Sequence, residues 1–238
     1  MKKLGCMVLM LCIGLLAGCG TALESEKSVV YIGKNGSVTS LDVEELTESY
    51  YDTAELESFV QEEVAAYEAQ NGKGTVKLDE LTVEEGTAKL RMKYKTPEDY
   101  TAFNGIELYQ GTVIDSLSAG YVYDGPFVRV ENGTAKGEAT KRDIYEQEDL
   151  KVVIIRANTD VLVDGKICYV SSENVALTGA DSVSIREGYY LDPGTAASGT
   201  ESVAASGQAE STEFMADVQQ PEEGGSFETD VYTFIVYK

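Results

Sequence analysis

Between residues 29 and 191 apolar and polar positions alternate on two rhythms, one of two residues and one of three to four. Val29-Val30-Tyr31-Ile32 on one side, and Val38 with Leu41-Asp42-Val43 on the other, flank Asn35-Gly36. Asn-Gly between apolar runs predicts a tight hairpin, because both residues accept the positive φ that such a turn demands. Residues 53–70 follow the helical rhythm instead. Leu56, Phe59, Val60, Val64 and Tyr67 share a face expected to be buried, while Glu57, Glu62 and Glu68 point elsewhere. Asp52 with Glu55 three residues on forms a capping-box pattern, and Asn71-Gly72 supplies a stop.

The two-residue rhythm returns in 76–83 and 87–94, around Glu84-Glu85-Gly86. There Ala88, Leu90, Met92 and Tyr94 alternate with Lys89, Arg91 and Lys93, one face buried and one wet. Thr96-Pro97-Glu98-Asp99 opens a short helix that ends at Asn104-Gly105. Residues 106–109 read as a strand and 112–119 as another short helix. Phe127 to Val130 with Asn132-Gly133 predicts a third hairpin whose second arm is poor in apolar residues. Residues 140–149 form a polar stretch with helical character, and 151–155 a strand of central type. Val161-Leu162-Val163, Asp164-Gly165 and Ile167 to Val170 predict a fourth hairpin, with further strands at 175–177 and 182–185.

The expected fold class is α+β: mostly antiparallel β-hairpins with one principal helix and two or three short helices. Residues 29–110 read as a hairpin–helix–hairpin unit. Residues 111–191 read as a β-rich unit, either a second domain or the remainder of one sheet. From 192 to 230 Gly, Ala, Ser, Thr, Glu and Gln dominate, and no Lys or Arg occurs between Arg186 and Lys238. That composition predicts an acidic disordered loop. Residues 231–238 are too apolar for a tail and are expected to return to the β-rich unit as a terminal strand.

The chain begins differently. Lys2 and Lys3 precede a mostly apolar run from Leu4 to Leu16, a secretion signal by order and too short for a comfortable membrane span. Its end, Leu16-Ala17-Gly18-Cys19, resembles the lipobox of bacterial lipoproteins. The resemblance implies cleavage before Cys19 and attachment of fatty-acyl chains such as palmitate to that residue. Residues 1–19 are then a lipoprotein signal peptide and 20–28 a short polar tether. The expected location is the outer face of the bacterial cytoplasmic membrane, where stable anchoring needs more than one acyl chain.

Charge narrows the partners. The chain holds 19 Lys and Arg against 41 Asp and Glu, net −22; loss of Lys2 and Lys3 with the signal takes the mature chain to −24. Such a surface repels nucleic acid and anionic lipid headgroups, so adhesion to the membrane has to come from the acyl chains. Of four cysteines, Cys6 and Cys12 leave with the signal and Cys19 carries lipid, so Cys168 stands alone and no intramolecular disulfide forms. Histidine is absent, which removes Ser-His-Asp and Cys-His catalysis and ordinary zinc or copper sites. No cofactor or metal is expected.

Carboxylates are the one catalytic resource in quantity. Glu44-Glu45, Glu62-Glu63, Glu84-Glu85 and Glu146-Gln147-Glu148-Asp149 are candidates for glycoside hydrolysis, although adjacent acids are common at this acid content. Asp160 with Asp164-Gly165 is a poor calcium loop, since Val161, Leu162 and Val163 intervene, and a turn accounts for it. Tyr50-Tyr51, Tyr121-Tyr123 and Tyr189-Tyr190, among 15 tyrosines and no tryptophan, offer a sugar or peptide platform or simply strand-edge rings. Cys168, between Ile167 and Tyr169, reads as a small buried hydrophobe.

Two longer runs carry a second resemblance: Tyr50-Tyr51-Asp52 leading into Glu55-Leu56-Glu57-Ser58-Phe59, and Lys151 to Ile155 before Gly165 to Ser171. Together they resemble uncharacterised lipoproteins of Clostridia-type gut bacteria, which implies an outward-facing lipoprotein of no assigned activity. The hairpin–helix–hairpin order also resembles, in layout alone, the domain of germination and sporulation lipoproteins. Two functions are expected in consequence: a non-enzymatic binding or scaffolding module of the cell envelope, with a glycan or protein partner, or a carboxylate-dependent hydrolase of envelope or dietary glycans.

Overall fold

The computed structural model describes residue 23 and residues 25–46, 52–194 and 231–238. Cys19 with the signal peptide, Tyr50-Tyr51 and the acidic loop beyond Gly194 lie outside the described residues. In chain order the first elements are β1 (Val29–Ile32), β2 (Val38–Glu45), α1 (Thr53–Asn71), β3 (Val76–Glu84), β4 (Thr87–Tyr94), α2 (Pro97–Asn104), β5 (Leu108–Thr112) and α3 (Val113–Ser118). Then come β6 (Phe127–Glu131), β7 (Thr134–Ala139), α4 (Lys141–Tyr145), β8 (Lys151–Ile155), β9 (Asp160–Val163), β10 (Ile167–Ser171), β11 (Glu173–Leu177), β12 (Ser182–Tyr190) and β13 (Thr233–Tyr237). They form an α+β fold of two mostly antiparallel sheets, as the patterning leads one to expect. One sheet has seven strands in the order β11-β12-β9-β1-β2-β4-β3; the other has six, β5-β8-β13-β10-β6-β7. The one parallel pairing among these strands is β1 with β9.

Strand alternation assigns each side chain to a layer. Val30, Ile32, Val38, Met92, Val161 and Val183 of the first sheet meet Val128, Val153, Ile155, Val170 and Ile235 of the second in one core. The opposite face of the second sheet carries Val152, Ile154, Phe234 and Val236, covered by Val113 of α3, Ile144 of α4 and Tyr123. Central strands β8 and β13 are therefore buried on both faces, which explains their unbroken apolar sequence. At the β3–β4 end, Val60 of α1 and Tyr100 of α2 complete the core between the sheets.

Local chemistry sets the turns and caps. Glu85 and Gly86 connect β3 to β4, and Asn132 and Gly133 connect β6 to β7, all four at positive φ, the conformation of a two-residue hairpin turn. The Asp52 carboxylate accepts from the backbone N–H groups of Ala54 and Glu55 at the start of α1. Thr96, Thr112 and Thr140 cap α2, α3 and α4, the last two with reciprocal bonds from Asp115 and Asp143.

Several expectations are corrected. The β1–β2 loop runs from Gly33 to Ser37, closed by Gly33 N–H to Ser37 O (2.8 Å) and Gly36 N–H to Gly33 O (3.0 Å). Only Gly36 in this loop adopts positive φ, so Asn35-Gly36 is part of a longer loop rather than a two-residue turn. Phe59 is 60% exposed, because α1 covers a sheet edge too narrow to bury its whole apolar face. The strand expected at 106–109 begins at Leu108. Asp164-Gly165 is not a hairpin turn: β9 pairs with β1 and β12 in the first sheet, whereas β10 pairs with β6 and β13 in the second. The chain crosses between layers there, with Asp164 N–H donating to Ile32 O (3.0 Å). A Cβ at Gly165 would lie 2.6 Å from the Lys238 carbonyl oxygen, so the crossing requires glycine. Residues 29–110 and 111–191 do not divide by sheet either, since β5 joins the second sheet and β9, β11 and β12 join the first. Finally, the described part of the tether 20–28 is held. Arg91 Nη1 donates to Leu23 O (3.1 Å), Lys89 pairs with Glu26 (2.9 Å), and Val43 N–H donates to Ser28 Oγ (3.0 Å).

Candidate functional site

A concavity lies between α1 and β3. After Asn71 the chain reverses through Gly72 and Gly74, both at positive φ, so α1 runs back alongside the strand that follows it. Glu57, Gln61, Val64, Ala65 and Glu68 form one wall and Val76 to Leu81 the other, enclosing about 490 Å³. β3 is the last strand of its sheet, and among the described residues no further strand pairs with its outer side. α1 contributes Glu55, Glu57, Glu62, Glu63 and Glu68 and no Lys or Arg.

Acids from distant sequence thus face one another across this groove, but they are not alike. The register slips between Leu78 and Glu80, which turns Asp79 toward Arg91 Nε (3.1 Å) and Lys93 Nζ (2.7 Å). Hydrogen bonding from Lys93 first, then the charges of Lys93 and Arg91, holds Asp79 below its ordinary carboxyl range. Glu80 is paired with Arg91. Gln61 donates to Glu57, and Gly74 N–H donates to Glu68. Such a surface suits cation or peptide contact better than proton donation, which needs a carboxyl held up.

Among the described residues one carboxyl is held up, and it lies elsewhere. Val38, Ser40 and Asp42 alternate onto the inner face of β2, so Asp42 points between the sheets opposite Leu90. Burial, with a smaller push from Glu44 and against the bond from Ser40 Oγ (3.0 Å), raises its pKa to about 6. Tyr94 and Tyr100 stack edge to face nearby at 5.1 Å, and Tyr94 donates to Asn104 Oδ1 (3.2 Å). Burial pushes Tyr94 up to about 12 and Tyr100 further. Asp42 does not line the α1–β3 groove.

The tyrosine pairs separate. Tyr123 is fully buried and shares a 2.7 Å hydrogen bond with Ser116, whereas Tyr121 is half-buried. Tyr121 packs between Tyr109 (4.9 Å) and Tyr232 (6.0 Å), and Tyr121 and Tyr232 both donate to Glu107, at 3.2 and 2.6 Å. Burial and the Glu107 charge raise the Tyr121 phenol strongly. Tyr189 and Tyr190 end β12 as exposed rings.

Of the adjacent acids, Glu45 and Glu84 are brought to one end of the first sheet, on either side of Thr87, while the other pairs lie apart. Glu44-Glu45 ends β2, Glu62-Glu63 lies on the wet side of α1, and Glu84-Glu85 sits at the β3–β4 turn. Glu146 to Leu150 line a smaller depression of about 280 Å³. Asp160 accepts from Ser184 Oγ (2.7 Å) and pairs with Arg186 (3.1 Å), a role in the sheet. Cys168 is half-buried rather than fully buried, and burial raises its thiol pKa. Among the described residues no group of three or more Cys, Asp and Glu side chains is placed to hold a metal ion. The groove and the Glu107 cluster escape sequence reasoning because both join residues far apart in the chain. Asp42 carries a readable signal: an acid on the period-two positions of Val38. Against family models, curated proteins and solved structures alike, the chain has no match.

Proposed function

We propose that this chain is a membrane-anchored extracytoplasmic lipoprotein whose folded part is a non-enzymatic binding or scaffolding module of the cell envelope. The observation that carries the reading is Leu16-Ala17-Gly18-Cys19 behind a basic start and an apolar run. Acyl chains on Cys19 contribute roughly 0.8 kcal/mol per buried methylene, so two or more hold a protein of this size at the bilayer. The partner is an envelope glycan or protein. Support for binding over hydrolysis comes from the groove, where Asp79 is held ionised by Lys93 and Arg91 instead of protonated. A carboxylate-dependent hydrolase needs one acid of its pair protonated near neutral pH. The test is Cys19→Ala in a lipid-modifying host. The wild type is expected in the membrane fraction with a mass increase of acyl size on its N-terminal peptide. The variant is expected in the soluble fraction or as uncleaved precursor. Equal membrane retention of both forms overturns the reading.

A further inference from the structure

We infer that the lipid anchor holds the outer face of the seven-stranded sheet around β4 toward the bilayer surface. This deepens the lipid-anchor reading and rests on it.

The chain itself fixes the geometry. Leu23 is held by Arg91, Glu26 by Lys89 and Ser28 by Val43, so the segment leading to β1 lies against β4 and β2 instead of hanging free. Arg91 and Lys89 alternate with Leu90 and Met92, which point inward; their own side chains therefore stand on the outer face. Only three residues separate Cys19 from Leu23, a span of at most about 14 Å. An acylated Cys19 thus keeps this face within a short reach of the lipid. Among the described residues no helix covers it. Val60 of α1 and Tyr100 of α2 pack between the sheets, while Val113 of α3 and Ile144 of α4 cover the far side of the other sheet.

The charge pattern agrees. Lys89, Arg91 and Lys93 line β4, and Lys77 of β3 lies directly opposite Lys93. Glu26, Asp79 and Glu80 partner three of these cations, which leaves a near-neutral face on a chain of net charge −22. The meeting of Lys77 with Lys93 is relieved within the chain by Asp79, whose carboxylate lies 2.7 Å from Lys93 Nζ. The five glutamates of α1 have no such cations on their own helix and would be repelled by anionic headgroups, which keeps that helix turned from the bilayer.

The experiment uses the full chain in membranes from a lipid-modifying host, a membrane-impermeant amine reagent and peptide mass spectrometry. Lys77 and Lys93 are expected to react several-fold more slowly in the membrane-bound wild type than in released Cys19→Ala protein. Lys141, on α4 at the opposite side of the molecule, is expected to react equally in both. Membrane-bound protein with equal reactivity of Lys77 and Lys93 in the two forms, or with protection of Lys141 instead, overturns the orientation while leaving the anchor intact. Wild type missing from the membrane fraction overturns both.

Discussion

Asp42→Asn tests whether a carboxyl on the inner face of β2 works against the fold at neutral pH. Asp42 ionises near pH 6 in the folded chain and near its ordinary 3.8 when unfolded. Below the unfolded value both states hold the proton and the residue is neutral to stability. Between the two values the unfolded chain ionises first, so stability falls as pH rises; above about 6 the loss is complete. At roughly 1.4 kcal/mol per pH unit the ceiling is about 3 kcal/mol, and partial access to water halves it to roughly 1.5 kcal/mol. Asparagine keeps the shape and can still accept from Ser40 Oγ. Urea titrations of both proteins across pH 3.5 to 8 give the difference directly, and the global acid repulsion cancels between them. Asp42→Asn is expected to gain roughly 1.5 kcal/mol at pH 7.5 and nothing at pH 3.5. A variant less stable at pH 7.5, or a difference that does not change with pH, refutes this placement of the carboxyl.

Ending the chain at Asp230 removes β13, whose Phe234, Ile235, Val236 and Tyr237 are all buried. At roughly 1.5–3 kcal/mol each the loss rivals the 5–15 kcal/mol stability of a typical domain, so circular dichroism should show no cooperative melt; a normal melt would make the segment dispensable. Glu107→Gln takes the charge from the acceptor shared by Tyr121 and Tyr232. It should cost about 1–2 kcal/mol and bring two phenols to ionise at lower pH in an ultraviolet titration, since Glu107 is the main group holding Tyr232 up and, after burial, helps hold Tyr121 up. An unchanged titration curve would sink that account.

Where sequence and structure agree, the determinants are local. Asn132-Gly133 carries its own backbone preference, and the β3–β4 hairpin is marked by Gly86 between two alternating runs, so both could be read without knowing what they pack against. The Thr96-Pro97 start of α2 is local in the same sense. Asp164-Gly165 carries a similar signal but misleads, because apolar runs on either side say nothing about partners: β9 prefers β1, more than a hundred residues earlier. Phe59 fails for a related reason. Helical periodicity names a face, and only the breadth of the surface beneath decides how much of it is covered. The α1–β3 groove was invisible because it exists only once β3 is known to be the edge strand.

The position of β13 has a consequence for how the chain is made. β8 and β10 are not neighbours; each pairs with β13, and the register joins Lys151 and Ile167 alike to Tyr237. The middle of the six-stranded sheet is therefore filled by a segment synthesised after every strand it joins. A nascent chain lacking it has two open strand edges where the centre should be and half of its shared core unsupported. Contacts this distant also close slowly. Cooperative closure of the two-sheet core is deferred until residues 233–237 have been made, and the arrival of that one strand seals both edges at once.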